Sequence, residues 1–311
     1  MNLKGITLIL ISTNEMKKMI LMSTLLLMTC LVQAQILNVS PTLKKGNTTT
    51  YNSTSNFKVS GVDVTVTETT KYTVTEETED GYVVDVITSD WKVNTDNQMS
   101  RLLVAASELV SGINFRLVTD KSGKTISIKN YDEVKVKLDE RANAFIDGLL
   151  KDMPEVGQVL SKDQLKEQVM GSATEEALIG SIGKSNGVMA LNGKSIATGA
   201  QDEYTNSQGM KMKRFYLVNG KKVTATSTMN MTQDDMKKMI IEKVEQLAPG
   251  QAQMVKDNID TLVESGLLKA EGSEKAVYEL ADDGWVKTLN MESTMKVMQQ
   301  ETTTTVTITR Q

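Results

Sequence analysis

Histidine is absent from this 311-residue chain, cysteine occurs once, proline three times, and aromatic residues make up only 4 %. Without histidine there is no Ser-His-Asp or Cys-His catalytic set, no histidine zinc site and no histidine pH switch. The lone cysteine, Cys30, falls in a leader-like stretch, so a chain cut after it has neither thiol chemistry nor a disulfide. Scarce aromatics leave the core to Val, Leu, Ile and 19 methionines. Methionine is unbranched and polarizable, which suits irregular or adaptable apolar surfaces as well as gap filling. A basic excess is also missing: beyond residue 34 the chain carries 32 basic and 38 acidic residues. Nucleic acid is therefore not an expected partner. The one cationic cluster, Lys211, Lys213, Arg214, Lys221 and Lys222, reads as a solvated hairpin that could also brush an anionic lipid surface.

What is present begins with an address. Lys17 and Lys18 precede an apolar run from Met19 to Val32, and Val32-Gln33-Ala34 forms a small-residue cleavage site. Residues 16–34 read as a signal peptide, with 1–15 an over-long start ahead of Met16. The run is too short for a membrane span. A lipoprotein reading through Leu27-Met28-Thr29-Cys30 is weakened by Thr29, where a smaller residue is usual. Cleavage after Ala34 predicts an exported chain, 35–311, in the periplasm, at the outer membrane or secreted.

That chain is organised around Gly61 to Glu76. Val62, Val64, Val66, Tyr72 and Val74 share one parity, while Asp63, Thr65, Thr67, Thr69, Lys71, Thr73 and Thr75 share the other. A period of two marks a strand with one buried and one wet face. Strands are predicted on either side, from Thr48 to Val59 and from Tyr82 to Val93, joined by short turns at Ser60-Gly61 and Glu79-Asp80-Gly81 into an antiparallel meander. Shorter strands follow at Ile113 to Thr119 and Thr125 to Lys129. Asn-Gly pairs predict hairpins over Val188 to Ala197 and Phe215 to Thr226. The final hairpin runs from Trp285 through Leu289, Met291, Met295 and Val297, then back from Thr302 to Ile308.

Helices are predicted between these strands. One spans Gln98 to Val110, and a second opens at Asn130 and ends at Pro154. Ser161 with Gln164, Ser172 with Glu175 and Thr232 with Asp235 mark three further N-termini, the last leading into a stripe of Met236, Met239, Ile240, Val244 and Leu247. Pro249 starts a partner helix that Gly266 ends. Echoes between Asp80-Gly81-Tyr82-Val83 and Asp283-Gly284-Trp285-Val286 divide 35–311, read as a single α+β domain, into halves 35–184 and 185–311.

Strand length sets the architecture. Patterns of about 14 residues reach close to 45 Å, against a usual strand of about 5 to 6 residues. Strands of that reach must twist and bend, and Glu68 and Thr70, where the apolar series lapses, mark a bend. The expected fold is α+β: a long, curved antiparallel sheet, an incomplete or half barrel, with amphipathic helices packed on its concave face.

The leader ending in Ala34-Gln35, the Lys44-Lys45-Gly46 lead into Thr-rich strands, the Gly81-Tyr82-Val83-Val84 strand and the closing Asp283-Gly284-Trp285 strand resemble uncharacterised exported-protein families, domains of unknown function, of Bacteroidota. The layout is similar to the half-barrel of periplasmic lipoprotein carriers, whose helices line an apolar groove that holds acyl chains. That resemblance implies an apolar ligand and carries over no individual residue.

Motifs for chemistry fail on context. Ser55/Lys58, Ser181/Lys184 and Ser293/Lys296 match Ser-x-x-Lys, but two of the three lie in predicted strands instead of at a helix start. Gly123-Lys124-Thr125, Gly183-Lys184-Ser185 and Gly193-Lys194-Ser195 end like phosphate loops, yet Val118, Leu178 and Val188 stand where the leading glycine belongs. Asp234/Asp235 and Asp282/Asp283 read as a cap and a turn, so neither a metal nor a cofactor is expected. The remaining resource is apolar surface. Val62, Val64, Val66, Tyr72 and Val74, with Met236, Met239, Trp285, Leu289, Met291 and Met295, are the candidate groove lining. Two non-enzymatic readings follow: a carrier of a lipid or other apolar small molecule, or a solid-cored structural module that binds an envelope protein.

Overall fold

The computed structural model describes residues 35–59, 62–94, 109–154, 156–171, 173–180, 187–206, 210–247, 250, 252–264, 270–297 and 300–311. The expected signal peptide with Cys30, the expected Ser60-Gly61 turn, Ser172, Ser181, the Gly183-Lys184-Ser185 run, Pro249, Gly266 and all of the expected 98–110 helix except Leu109 and Val110 lie outside these residues.

Thirteen strands are described: β1 (Ile36–Asn38), β2 (Thr48–Val59), β3 (Val62–Glu77), β4 (Gly81–Asn94), β5 (Asn114–Asp120), β6 (Thr125–Ile128), β7 (Ser195–Ala197), β8 (Gln201–Thr205), β9 (Lys211–Asn219), β10 (Lys222–Met229), β11 (Ala270–Leu280), β12 (Val286–Val297) and β13 (Gln300–Arg310). The helices are α1 (Tyr131–Asp152), α2 (Val156–Val159), α3 (Lys162–Gly171), α4 (Glu175–Ile179), α5 (Gln233–Leu247) and α6 (Ala252–Glu264). Eleven strands form one open antiparallel sheet in the order β6-β5-β4-β3-β2-β13-β12-β11-β10-β9-β8. Two meanders run outward from the centre, where β2 pairs with β13 from Val59↔Thr302 to Tyr51↔Arg310.

The expected bend is present. Across β3 and β4 the register slips at Thr67/Thr69, setting Glu68 against the pair Asp90 and Trp91. Asp90 takes a left-handed φ of 53° there. The extra residue turns the strand and inverts its parity, so Val93 faces inward with Val66, and Val86 with Tyr72.

The curl of the sheet follows from a short internal segment. Asn192 Nδ2 donates to the carbonyl of Gly123, in the β5–β6 turn near one edge. Two residues on, Lys194 Nζ reaches Asp202 of β8 at 2.9 Å and Tyr216 of β9 at 3.1 Å, near the other edge. A flat sheet would separate those places by about 40 Å. Residues 192 and 194 span at most about 7 Å. The sheet therefore wraps around this segment as a half-barrel without its edges pairing.

The wrapped end is solid. Val39, Leu43, Met189, Leu191 and Ile196 plug it, in one cluster with Val84, Phe115 and Leu117 from one wing and Val218, Val223 and Tyr278 from the other. The small β1–β7 sheet sits in this plug. α1 contributes Val134 and Leu138, and α4 contributes Leu178 and Ile179. The helix opening at Asn130 is as predicted, but the Asn130 side chain makes no cap. It instead accepts from the Arg116 amide and donates to the Asn114 carbonyl, fastening α1 to β5. The Ser161/Gln164 and Thr232/Asp235 caps both form reciprocally.

Three details depart from the sequence pattern. Asn192-Gly193 does not close a hairpin; it turns the chain into β7, whose partner is β1. In the β9–β10 hairpin Asn219 pairs with Lys222, so the two-residue loop is Gly220-Lys221, with Gly220 at φ 59° as the first position of a type II′ turn requires. Finally, β11 occupies a stretch rich in Ala, Glu and Lys, residues with weak strand preference. Its inward positions Ala276, Tyr278 and Leu280 are buried.

Candidate ligand-binding groove

Directly opposed residues in an antiparallel ladder point to the same face, so the registers give the inner surface row by row. Nearest the plug runs Val218–Val223–Tyr278–Leu289–Ile308–Ser53–Glu68. Next comes Tyr216–Ala225–Ala276–Met291–Val306–Ser55–Val66–Val93, then Arg214–Ser227–Glu274–Ser293–Thr304–Phe57–Val64. The outermost row is Met212–Met229–Gly272–Met295–Thr302 and, beyond β2, Val62, ordered partly by extending these registers one step.

Burial falls along this series on β12, β13 and β2, while Arg214, Ser227 and Met212 at one end and Val64 and Val66 at the other stay buried. Leu289 is fully buried, whereas Met291, Val306, Ser55, Ser293, Thr304, Met295 and Thr302 are only half-buried. Across the outer rows lies a second apolar cluster, separate from the main core. Val64 and Val66 form it, with Phe57, Val62, Trp91 and Val93 packed against them. At Gly272 the strand carries no side chain, and the Met295 thioether fills the space, 3.0 Å from where a Cβ would stand. The outer half of the inner face is thus an apolar trough floored by methionine, with polar rungs at Ser55, Ser293 and Thr304.

Nine of the eleven predicted lining residues lie in the plug, in the trough or at their boundary. Tyr72, Val74, Trp285 and Leu289 belong to the main core. There Tyr51 meets Tyr72 edge-on at 5.7 Å and Tyr72 meets Trp285 at 5.8 Å. Val62, Val64, Val66 and Met295 share the trough, and half-buried Met291, which packs against the main core, stands at its inner boundary. Met236 and Met239 are half-buried on α5, and neither is a member of either apolar cluster. α5 is paired with α6 through Lys237–Asp260 and Lys256–Glu245, and its first turn is tied to β9 by Lys211–Asp235 at 2.7 Å.

Charge on the inner face was harder to foresee. Glu68 sits in the row of Leu289 and Ile308, and burial raises its carboxyl above the ordinary range. The expected solvated cationic hairpin holds only in part: Lys211 is exposed, but Arg214 is 2 % exposed on the inner face. Its parity with the buried Met212 and Tyr216 was the available signal. Near it, burial works to raise the Asp202 carboxyl, yet hydrogen bonds from Lys194 and Tyr216 outweigh burial and hold it below the usual range.

A separate polar cavity of about 280 Å³ opens where β2 begins and β13 ends. Thr42, Asn47, Thr48, Thr49, Asp283, Trp285 and Arg310 line it, and Arg310 pairs with Asp283 at 2.8 Å. Trp285 is its one predicted lining residue. Among the described residues no group of acidic side chains could hold a metal ion, and no helix is long and apolar enough to cross a membrane.

No family model matches the chain, and no curated protein matches it. Among solved structures the chain is similar to one described as lipid-protein interactions in lipovitellin. Identity is 7 %, the TM-score 0.36, and the match covers 86 % of this chain but only 25 % of that one.

Proposed function

We propose that this is an exported, non-enzymatic protein that holds an apolar or amphipathic ligand in the trough between the β2–β3 and β11–β12 strands. One observation carries the reading: the inner face is solid beside the plug, and past Met291, which borders the main core, it continues as half-buried Met295, Val306 and Val62 alongside the separate Val64/Val66 cluster. A core that served stability alone gains nothing from leaving its methionines half-covered, since each square ångström of apolar surface buried contributes about 25 cal/mol. Adaptable methionine side chains also suit a ligand of variable shape. Native mass spectrometry of the purified protein, followed by solvent extraction, tests this. A bound amphiphile, or capture of a fluorescent apolar probe by stripped protein, is the expected result; a ligand-free protein silent to such probes overturns it.

The outer face favours a second reading, a structural module of the envelope. Its threonines and asparagines are laced together, Thr65 to Asn56 at 2.8 Å, Thr69 to Asn52 at 3.3 Å and Thr307 to Asn290 at 3.3 Å. This rigid polar surface would meet a protein partner. Recovery of a stoichiometric envelope protein by pull-down, together with an empty trough, would decide for it.

A further inference from the structure

On the β9–β11 side of the trough, polar groups are buried without partners. The Arg214 guanidinium lies 3.9 Å from the centre of the Tyr204 ring, and its Nη1 donates to the Tyr216 hydroxyl at 3.4 Å. Its Nε is 3.9 Å from Asp202 Oδ1, beyond hydrogen-bond reach, and neither Nε nor Nη2 has an acceptor. Nε and Nη2 form the side edge of the guanidinium, the fork that pairs with two oxygens of one anion. Tyr278 is 0 % exposed with an unpartnered hydroxyl, and Ser227, opposite Arg214, is also 0 % exposed, its hydroxyl beyond close hydrogen-bond geometry but within electrostatic reach of Tyr204. Ala225 and Ala276, two short buried side chains, lie in the row between them. Of the neighbouring carboxylates, Asp202 accepts from Lys194 and Tyr216 through Oδ2 and turns its other oxygen toward Arg214 Nε without reaching it, while Glu274 accepts from Tyr204 at 3.1 Å.

A buried donor without an acceptor carries its full desolvation cost. Here donors gather on three adjacent strands, at the polar end of a row that finishes at Phe57 and Val64. We propose that Arg214, Ser227 and Tyr278 clamp the anionic headgroup, a carboxylate or phosphate monoester, of a single-chain amphiphile whose tail lies over Met291 and Met295 toward Val66. This rests on the carrier reading above and adds the ligand's charge, polarity and direction. Arg214 supplies the side-on fork, and the two hydroxyls donate to the remaining anion oxygens.

The test measures palmitate, hexadecyl phosphate and hexadecanol binding to the stripped mature protein by displacement of an apolar fluorophore. At least one anionic amphiphile should bind about tenfold or more tighter than hexadecanol. Arg214→Met and Tyr278→Phe should remove that preference while leaving hexadecanol affinity unchanged. Tyr278→Phe also separates binding from folding: without ligand its melting temperature should hold or rise, because an orphan hydroxyl is lost. If Arg214→Met does not fold, Tyr278→Phe alone decides. Equal binding of all three amphiphiles by the native protein, or an unchanged preference in folded Tyr278→Phe, overturns the headgroup clamp and leaves the carrier reading standing. Failure of all three to bind overturns both.

Discussion

Leu289 and Met291 are two residues apart on the same face of β12, and truncating each to alanine measures whether that face changes from core to trough. Leu289 is 0 % exposed, opposed by Tyr278 and Ile308. Removing its three carbons leaves a cavity in a tightly filled cluster, at a cost of about 3 kcal/mol. Met291 is half-buried against Ala276 and Val306. It loses a similar number of atoms, but with solvent or a displaceable ligand on its open side the loss falls to about 1 kcal/mol. Urea unfolding of stripped protein reads both numbers, provided the slopes match that of the unmodified chain. Ligand sharpens the contrast, because stabilisation by mass action should fall in Met291→Ala and persist in Leu289→Ala. Equal costs for the two truncations, each near 3 kcal/mol, would refute the division of the inner face and with it the trough.

Other outcomes follow from charge and close approach. Burial raises the Glu68 carboxyl, so its contribution to stability is greatest in acid and declines as pH rises through the elevated folded value; melting curves should show Glu68→Gln more stable than the native chain at neutral pH and indistinguishable from it below about pH 4. Asp202 is shifted the other way, so its stabilisation is present above the ordinary aspartate range and disappears as pH falls through its depressed folded value. Asp202→Asn should lower the melting temperature at pH 7, with the deficit shrinking in acid. A Cβ on Gly81 would stand 1.9 Å from the Thr119 carbonyl oxygen, in a ladder that cannot move aside. Gly81→Ala should cost at least about 2 kcal/mol in urea unfolding.

Most of the sheet could be read from alternation because its two faces differ so sharply in chemistry. In β3 every inward valine is flanked by threonine or a charge, which fixes parity and register together. Even the bend was visible, since Glu68 interrupts the series where the bulge forms. β11 escaped because its inward positions are small or charged over half its length, Ala270, Gly272 and Glu274, and its apolar identity comes from the strands beside it. The plug escaped for a related reason. Residues 187–197 contain the Asn-Gly signal of a hairpin, but the partner strand, β1, is about 160 residues away, and local turn chemistry carries no record of such a pairing. Arg214 shows the converse error: five nearby cations suggested a wet hairpin, while parity with Met212, Tyr216 and Val218 turned one of them inward.

The seam between β2 and β13 sets the order in which the molecule can be completed. A chain made from its N-terminus can fold β2 to β6 early, as local hairpins, but β2 keeps a row of bare amides and carbonyls facing nothing until residues 300–310 exist. β13, set between β2 and β12, is the keystone of the sheet. Loop closure over nearly the whole chain then joins the two wings, which makes this step slow and leaves an exposed strand edge in the meantime. Deleting 300–310 would remove the middle of the sheet and leave β2 and β12 as bare edges.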